Sequence, residues 1–417
     1  MVFFVRKYKD DGNVILIKVE LRMIKMSNIN WHADLEQIAL ELPRLHKNLF
    51  FNLDEETFYS SLSNLKERLE NLDTYSIVME IARIIASIGD AHTAVAMPRH
   101  NRLPFECYWF QEGIFITSTL PQFGNLLHYK VVKIEGISIE DVIERLSSII
   151  SYENESFLRS QLPDYLICAD LLIGLDVINN NQTVNITVEN LNNEQIDVNL
   201  PTIKYETWQS AALLASVNAL DELPLYRKNS EKFYWSEFNS EKKLLYINYN
   251  QCKDMQTYTV SEFSQQLRMD IQVNSDIQRL VIDLRNNGGG NSELFRGFLT
   301  WLSTFQRLNC NGKLFVIVGR DTFSSALLNT YLLKFDTAAI FLGEPTGGKP
   351  NCYGEVKYLS LNSSGLYIRY STKYYELIDD NTLASFMPDV LCEVTFENYI
   401  RNSDPCLDWI YNFLECA

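Results

Sequence analysis

The stretch from Leu280 to Glu355 constrains this chain more than any other. Three short apolar runs in it each break into small residues. The first is Leu280-Val281-Ile282-Asp283-Leu284, followed by Arg285-Asn286-Asn287-Gly288-Gly289-Gly290. The second is Leu314-Phe315-Val316-Ile317-Val318, which leads through Gly319 into Thr322-Phe323-Ser324-Ser325-Ala326. The third is Ile340-Phe341-Leu342, followed by Gly343-Glu344-Pro345-Thr346-Gly347-Gly348-Lys349. Apolar runs of this length, ended by glycine or other small residues, read as buried strands. The first two continue into helical patterns. A repeated strand, turn and helix implies parallel strands joined by crossovers. In such a sheet the chemistry gathers at the carboxyl ends of the strands. The glycine triplet, the Ser-Ser-Ala turn and Lys349 should therefore meet at one edge.

Those residues permit acyl transfer. A serine hydroxyl needs a base beside it to become a nucleophile. The developing oxyanion needs N–H donors aimed at it. Gly288 and Gly289 can present bare N–H groups because glycine tolerates unusual backbone angles. The Ala326 N–H lies at a helix start and is a third candidate. Lys349, flanked by small residues, could serve as general base if desolvated. Histidine is the commoner base, and the chain has five: His32, His46, His92, His100 and His128. The best placed is His92, in Gly89-Asp90-Ala91-His92-Thr93, just after an apolar helix.

Taken singly, each signal has a plain structural reading. A glycine triplet can be a loop, Ser-Ser-Ala a helix cap, Lys349 a surface residue and His92 a helix-end residue. Their order, each motif at a strand end, is what favours chemistry. Residues Gly343 to Lys349 also fit the phosphate-loop pattern G-x-x-x-x-G-K. The next residue is Pro350, so the metal-binding hydroxyl of that motif is missing.

Together the motifs resemble the C-terminal processing peptidases, or tail-specific proteases, with their tricorn-like and retinoid-binding relatives. The matching text is Asp283-Leu284-Arg285-Asn286-Asn287-Gly288-Gly289, Thr322-Phe323-Ser324-Ser325-Ala326 and Gly343-Glu344-Pro345-Thr346-Gly347-Gly348-Lys349. Gly89 to Thr93 is similar to a further tricorn-like motif. Met387-Pro388-Asp389-Val390 and Ser403-Asp404-Pro405-Cys406-Leu407-Asp408 look like the closing segment. The resemblance implies a serine peptidase acting on polypeptide, without metal or organic cofactor. It puts the nucleophile at the serine directly before alanine, Ser325, with Ser324 as its neighbour. Lys349 falls at the lysine of the processing branch, although Tyr353 stands where that branch has glutamine. His92 falls at the histidine of the tricorn-like branch, although Ala91 stands where that branch has a supporting serine. Glu355 is a candidate acidic partner. The base is open between Lys349 and His92. A non-catalytic peptide- or ligand-binding protein on the same scaffold is the alternative.

The resemblance further implies an α/β (α+β multidomain) chain with a crotonase-like or Clp-protease-like ββα core. Expected divisions are an extension over 1–28, helices over 29–97, a PDZ-like unit over 98–203 and the core over 204–417. Apolar spacing predicts helices over Asp34–Phe50, Asp54–Leu69 and Thr74–Ile88, with Asp54 and Thr74 as N-caps. Val184–Val188 and Ile196–Leu200 read as a hairpin.

Composition supplies the exclusions. A net charge of −16 argues against nucleic acid and anionic membranes. Eight scattered cysteines without a Cys-x-x-Cys pair exclude a zinc ribbon by spacing and give no disulfide framework. Cys352, three residues after Lys349, is the one thiol near the motifs. Residues 1–28 are basic, and their apolar run Val14–Ile17 is too short for a signal peptide. A cytoplasmic protein without membrane segments is expected, and a homo-oligomer is compatible with the sequence.

Overall fold

The structure is a computed structural model that describes residues 29–209 and 223–416. The expected extension 1–28 and part of the connection after 204 lie outside the described residues.

Six strands form the central sheet, in the order Tyr234–Asn239, Leu244–Tyr249, Arg279–Asp283, Leu314–Val318, Ile340–Gly343 and Val390–Leu391. The first pair is antiparallel and the rest are parallel. Helices Val260–Val273, Glu293–Thr304 and Ser325–Asp336 make the crossovers. Side chains alternate across each strand. Ile282, Val316 and Phe341 pack with Leu267, Phe298 and Leu327 of those helices. Val281, Phe315, Ile317 and Leu342 point the other way, onto Leu407 and Ile410 of the terminal helix. Both faces are therefore covered, which is why the strands read as unbroken apolar runs.

The register places the carboxyl ends together. Asp283 pairs with Ile317, and Val318 pairs with Gly343. Two buried arginines pin the loops that follow. Arg285 lies 2.9 Å from Asp283 and 2.9 Å from Asp404. Arg320 reaches Glu344 at 2.7 Å and Glu393 at 3.0 Å.

A second, antiparallel sheet runs Phe105–Phe110, Gly113–Thr119, Lys130–Ile134, Thr183–Glu189 and Gln195–Pro201. Helices Trp31–Leu45, Glu55–Arg68 and Thr74–Ala86 precede it. Asp54 caps the second of these; Asp73, one residue before the expected Thr74, caps the third. The hairpin Cys352–Ser360 and Tyr367–Tyr375 leaves the central sheet and pairs with Ala94–Val95. One apolar cluster joins the three helices, the second sheet and this hairpin through Leu359, Leu366 and Ile368. That return of the chain is what brings the His92 region against the central sheet. Among the described residues, no helix is long and apolar enough to cross a membrane.

Candidate active site

The second strand end makes a strained turn. Gly319 N–H donates to Thr322 Oγ1 at 2.9 Å, and Thr322 Oγ1 donates to the Leu284 carbonyl at 2.8 Å. Phe323 N–H then donates to the Asn287 carbonyl at 3.0 Å, tying the turn to the glycine loop. Ser324 follows with φ 55° and ψ −124°. These angles belong to the positive-φ position of a type II′ turn, a place normally reserved for glycine. The helix begins at the next residue. Ser324 is half-buried and makes no capping hydrogen bond. Ser325 is 8% exposed, and its hydroxyl donates to the Gly290 carbonyl at 2.6 Å. The two serines, adjacent in sequence, thus occupy different worlds.

The glycine loop packs on this turn. Gly289 has φ 103°, and a Cβ there would lie 2.8 Å from Ser324 Cβ. Only a residue without a side chain allows that approach. Asn287 fixes the loop: its Nδ2 donates to the Tyr249 carbonyl at 2.7 Å, and its Oδ1 accepts the Gly289 N–H at 2.9 Å. Two of the three expected oxyanion donors are therefore engaged, since the Ala326 N–H donates to the Phe323 carbonyl at 3.1 Å. Among the described residues, the N–H groups of Gly288 and Ser325 meet no acceptor.

The Lys349 loop closes over the same turn. Gly348 N–H donates to the Thr322 carbonyl at 3.0 Å, and a Cβ on Gly348 would lie 3.4 Å from Phe323 Cα. Lys349 follows, half-buried.

His92 arrives from the other side of the molecule. Its ring stacks on Phe323, the residue before Ser324, at 4.3 Å between centroids and 22° between planes. Asp90 holds it. The His92 N–H donates to Asp90 Oδ1 at 2.9 Å, and the ring Nδ1 lies 3.9 Å from the same oxygen. Asp90 Oδ2 contacts His46 Nε2 at 3.0 Å, Ser371 Oγ at 2.6 Å and Thr93 Oγ1 at 2.5 Å. Burial pushes the Asp90 carboxyl up, but the His46 hydrogen bond, the His92 charge and the two hydroxyls outweigh it and hold it at about 2.

The remaining sequence candidates sit further out. Tyr353 is buried against His46 and Phe51, at 5.3 and 4.5 Å between ring centroids. Glu355 is exposed on the hairpin, where it accepts the Tyr375 hydroxyl at 2.8 Å. Burial pushes the Cys352 thiol up, opposite to what a nucleophilic thiol needs. Among the described residues, no group of three His, Cys, Asp or Glu side chains could hold a metal ion.

Sequence reasoning did not single out Asp90, His46, Ser371 or Glu153. Asp90 was inside the quoted motif, and its position two residues before the candidate base was the available signal. The other three come from distant segments and carry no local signature.

No family model matches the sequence, and no curated protein matches it. Solved structures do. Mature CPAF in complex with lactacystin superposes with a TM-score of 0.63 at 12% identity, covering 92% of this chain and 98% of that one. Mature CPAF gives a TM-score of 0.63 at 13% identity, with 92% and 96% covered. The photosystem II D1 C-terminal processing protease gives only 0.42 at 14% identity, with 88% and 94% covered. At such identities the likeness to CPAF is one of fold, and the third score is too low to add to it.

Proposed function

We propose that this protein is a serine peptidase whose nucleophile is Ser324. The observation that carries the reading is the backbone of Ser324. A glycine-type conformation kept by a serine costs about 1–3 kcal/mol and persists where surrounding structure enforces it. A sharp strand-to-helix turn of this kind lifts the hydroxyl toward a substrate. The sequence motif alone favoured Ser325, but its hydroxyl is committed to Gly290. The motif resemblance and the fold shared with mature CPAF support a serine peptidase, and the choice of Ser324 over Ser325 rests on the backbone and hydroxyl geometry alone.

In this reading Ser324 Oγ attacks the carbonyl carbon of a peptide bond. His92 accepts the hydroxyl proton, and Asp90 stabilises the imidazolium that forms. The N–H groups of Gly288 and Ser325 hold the oxyanion. His92 then gives the proton to the departing amine, leaving an acyl-enzyme on Ser324. Water, deprotonated by His92, attacks that ester carbonyl, and His92 returns the proton to Ser324 Oγ as the acyl bond breaks. Lys349 supplies positive charge at the edge of the site and is the competing base. The central sheet is assigned as a crotonase-like core, and the Phe105–Pro201 sheet as a PDZ-like unit that holds polypeptide.

A fluorophosphonate probe tests this. It should label Ser324 in the wild type and in Ser325→Ala, and fail on Ser324→Ala. Loss of labelling in His92→Ala but retention in Lys349→Ala supports the His92 base, and the reverse result supports Lys349. Label on Ser325 would overturn the nucleophile. A folded wild-type protein that takes no label favours a non-catalytic peptide- or ligand-binding protein.

A further inference from the structure

One short segment touches all three arms of the site. Phe157 packs on Phe323 at 4.5 Å between centroids and joins Ala91 in a small apolar cluster. Asn154 Nδ2 donates to the Gly347 carbonyl at 3.0 Å, in the loop that carries Lys349. Ser160 Oγ donates to Asp321, just before the strained turn. Glu153 begins this segment, and its carboxyl lies against the Ala91 N–H. Its Oε2 is fully enclosed and meets no hydrogen-bond partner. A buried carboxyl oxygen without a donor is costly unless the group carries a proton.

We propose that Glu153 is a positioning residue of this site, a second carboxyl that acts with Asp90 on the charge and orientation of His92. The proposal rests on the reading of the site given above. The two carboxyls sit at consecutive residues of the His92 loop: Glu153 lies beside Ala91, and Asp90 accepts the His92 N–H. They cannot both ionise cheaply in a shared low-dielectric environment. Asp90 has four donors around it and Glu153 has one, so the proton belongs on Glu153. Burial, followed by the Asp90 charge, pushes Glu153 up to about 8, against the pull of Lys349. The groups facing Glu153 are Asp90 from the His92 loop, Lys349 from its own loop, and Cys352 and Tyr374 from the hairpin. His46 and His92 act through Asp90. At neutral pH the pair then presents one negative charge to His92, and above about pH 8 it presents two.

The test is an NMR titration of the full chain carrying carbon-13-labelled histidine, with His92 assigned by His92→Gln. Wild type should show, besides the imidazole titration itself, a second inflection of the His92 signal near pH 8. Glu153→Gln, which keeps the size and stays neutral, should lose that inflection, while Glu153→Asp should keep one at a shifted pH. A purely structural role would leave the curve unaltered. Identical His92 curves in wild type and a folded Glu153→Gln overturn the proposal; should that variant not fold, an Asp variant whose curve matches wild type does so. Probe labelling is read separately. A protein with the second inflection but no label on Ser324 sinks the peptidase reading and leaves Glu153 coupled to His92. A labelled protein without the inflection does the opposite.

Discussion

Replacing Ser324 by glycine should stabilise the protein while silencing it. Ser324 holds φ 55° and ψ −124°, a conformation whose strain for a non-glycine residue is about 1–3 kcal/mol. Glycine removes that strain but loses more backbone entropy on folding, about 0.5–1 kcal/mol. No side-chain capping bond is lost, since Ser324 makes none. The net is a gain of roughly 0–2.5 kcal/mol. Ser325→Gly is the control. It deletes the hydrogen bond to the Gly290 carbonyl, worth about 0.5–1.5 kcal/mol, and puts glycine into a helix. That variant should lose roughly 1–2.5 kcal/mol. Urea denaturation of wild type and both variants reads the difference as opposite shifts of the midpoint at constant slope. Ser324→Ala, which keeps a Cβ, should keep the strain and stay near wild type. A Ser324→Gly protein less stable than wild type, or shifted in the same direction as Ser325→Gly, would refute the reasoning. So would Ser324→Gly that still accepts the probe.

Other substitutions probe the supports. Asp90→Asn should cost about 2 kcal/mol at pH 7, from a carboxyl held at about 2 against an ordinary 3.8. The folded value lies below the unfolded one, so this stabilisation is complete above about pH 3.8 and fades as pH falls toward 2. Urea midpoints of the pair, compared from pH 7 downward, should converge in that window. Arg285→Leu leaves Asp283 and Asp404 buried without their cation and should cost roughly 3–5 kcal/mol, read by the same unfolding assay. Asn287→Ala frees the glycine loop from Tyr249 and Gly289 and should slow probe labelling at least ~10-fold while costing about 1–3 kcal/mol of stability for the buried partners it strands; an unchanged labelling rate in the folded variant would mean the loop needs no such anchor.

The order of elements in the central sheet was legible because its strands are buried on both faces. Leu280–Ile282, Leu314–Val318 and Ile340–Leu342 each carry an unbroken apolar run. The first helices were legible from apolar spacing, with Asp54 as a visible cap. The first strand, Tyr234–Asn239, was not, because its half-exposed residues give no such run. The helix Glu155–Leu166 also escaped, since Pro163 interrupts its spacing. Those are local failures of pattern.

The candidate site residues divide along a different line. The sequence by itself determined that small-residue turns follow consecutive parallel strands. Register then had to bring the glycine loop, the serines and Lys349 to one edge. It also offered His92 as a base from far along the chain. Ser324 and Ser325 are told apart only in the tertiary structure, because neighbouring identical residues differ solely in backbone angles and hydroxyl partners. Only the fold delivered His92, through its stacking on Phe323 and the hairpin that packs Ser371 onto Asp90. The fold likewise sets His46 against Asp90 and Glu153 beside Ala91. A carboxyl's charge depends on how many donors surround it, and those donors come from segments hundreds of residues apart.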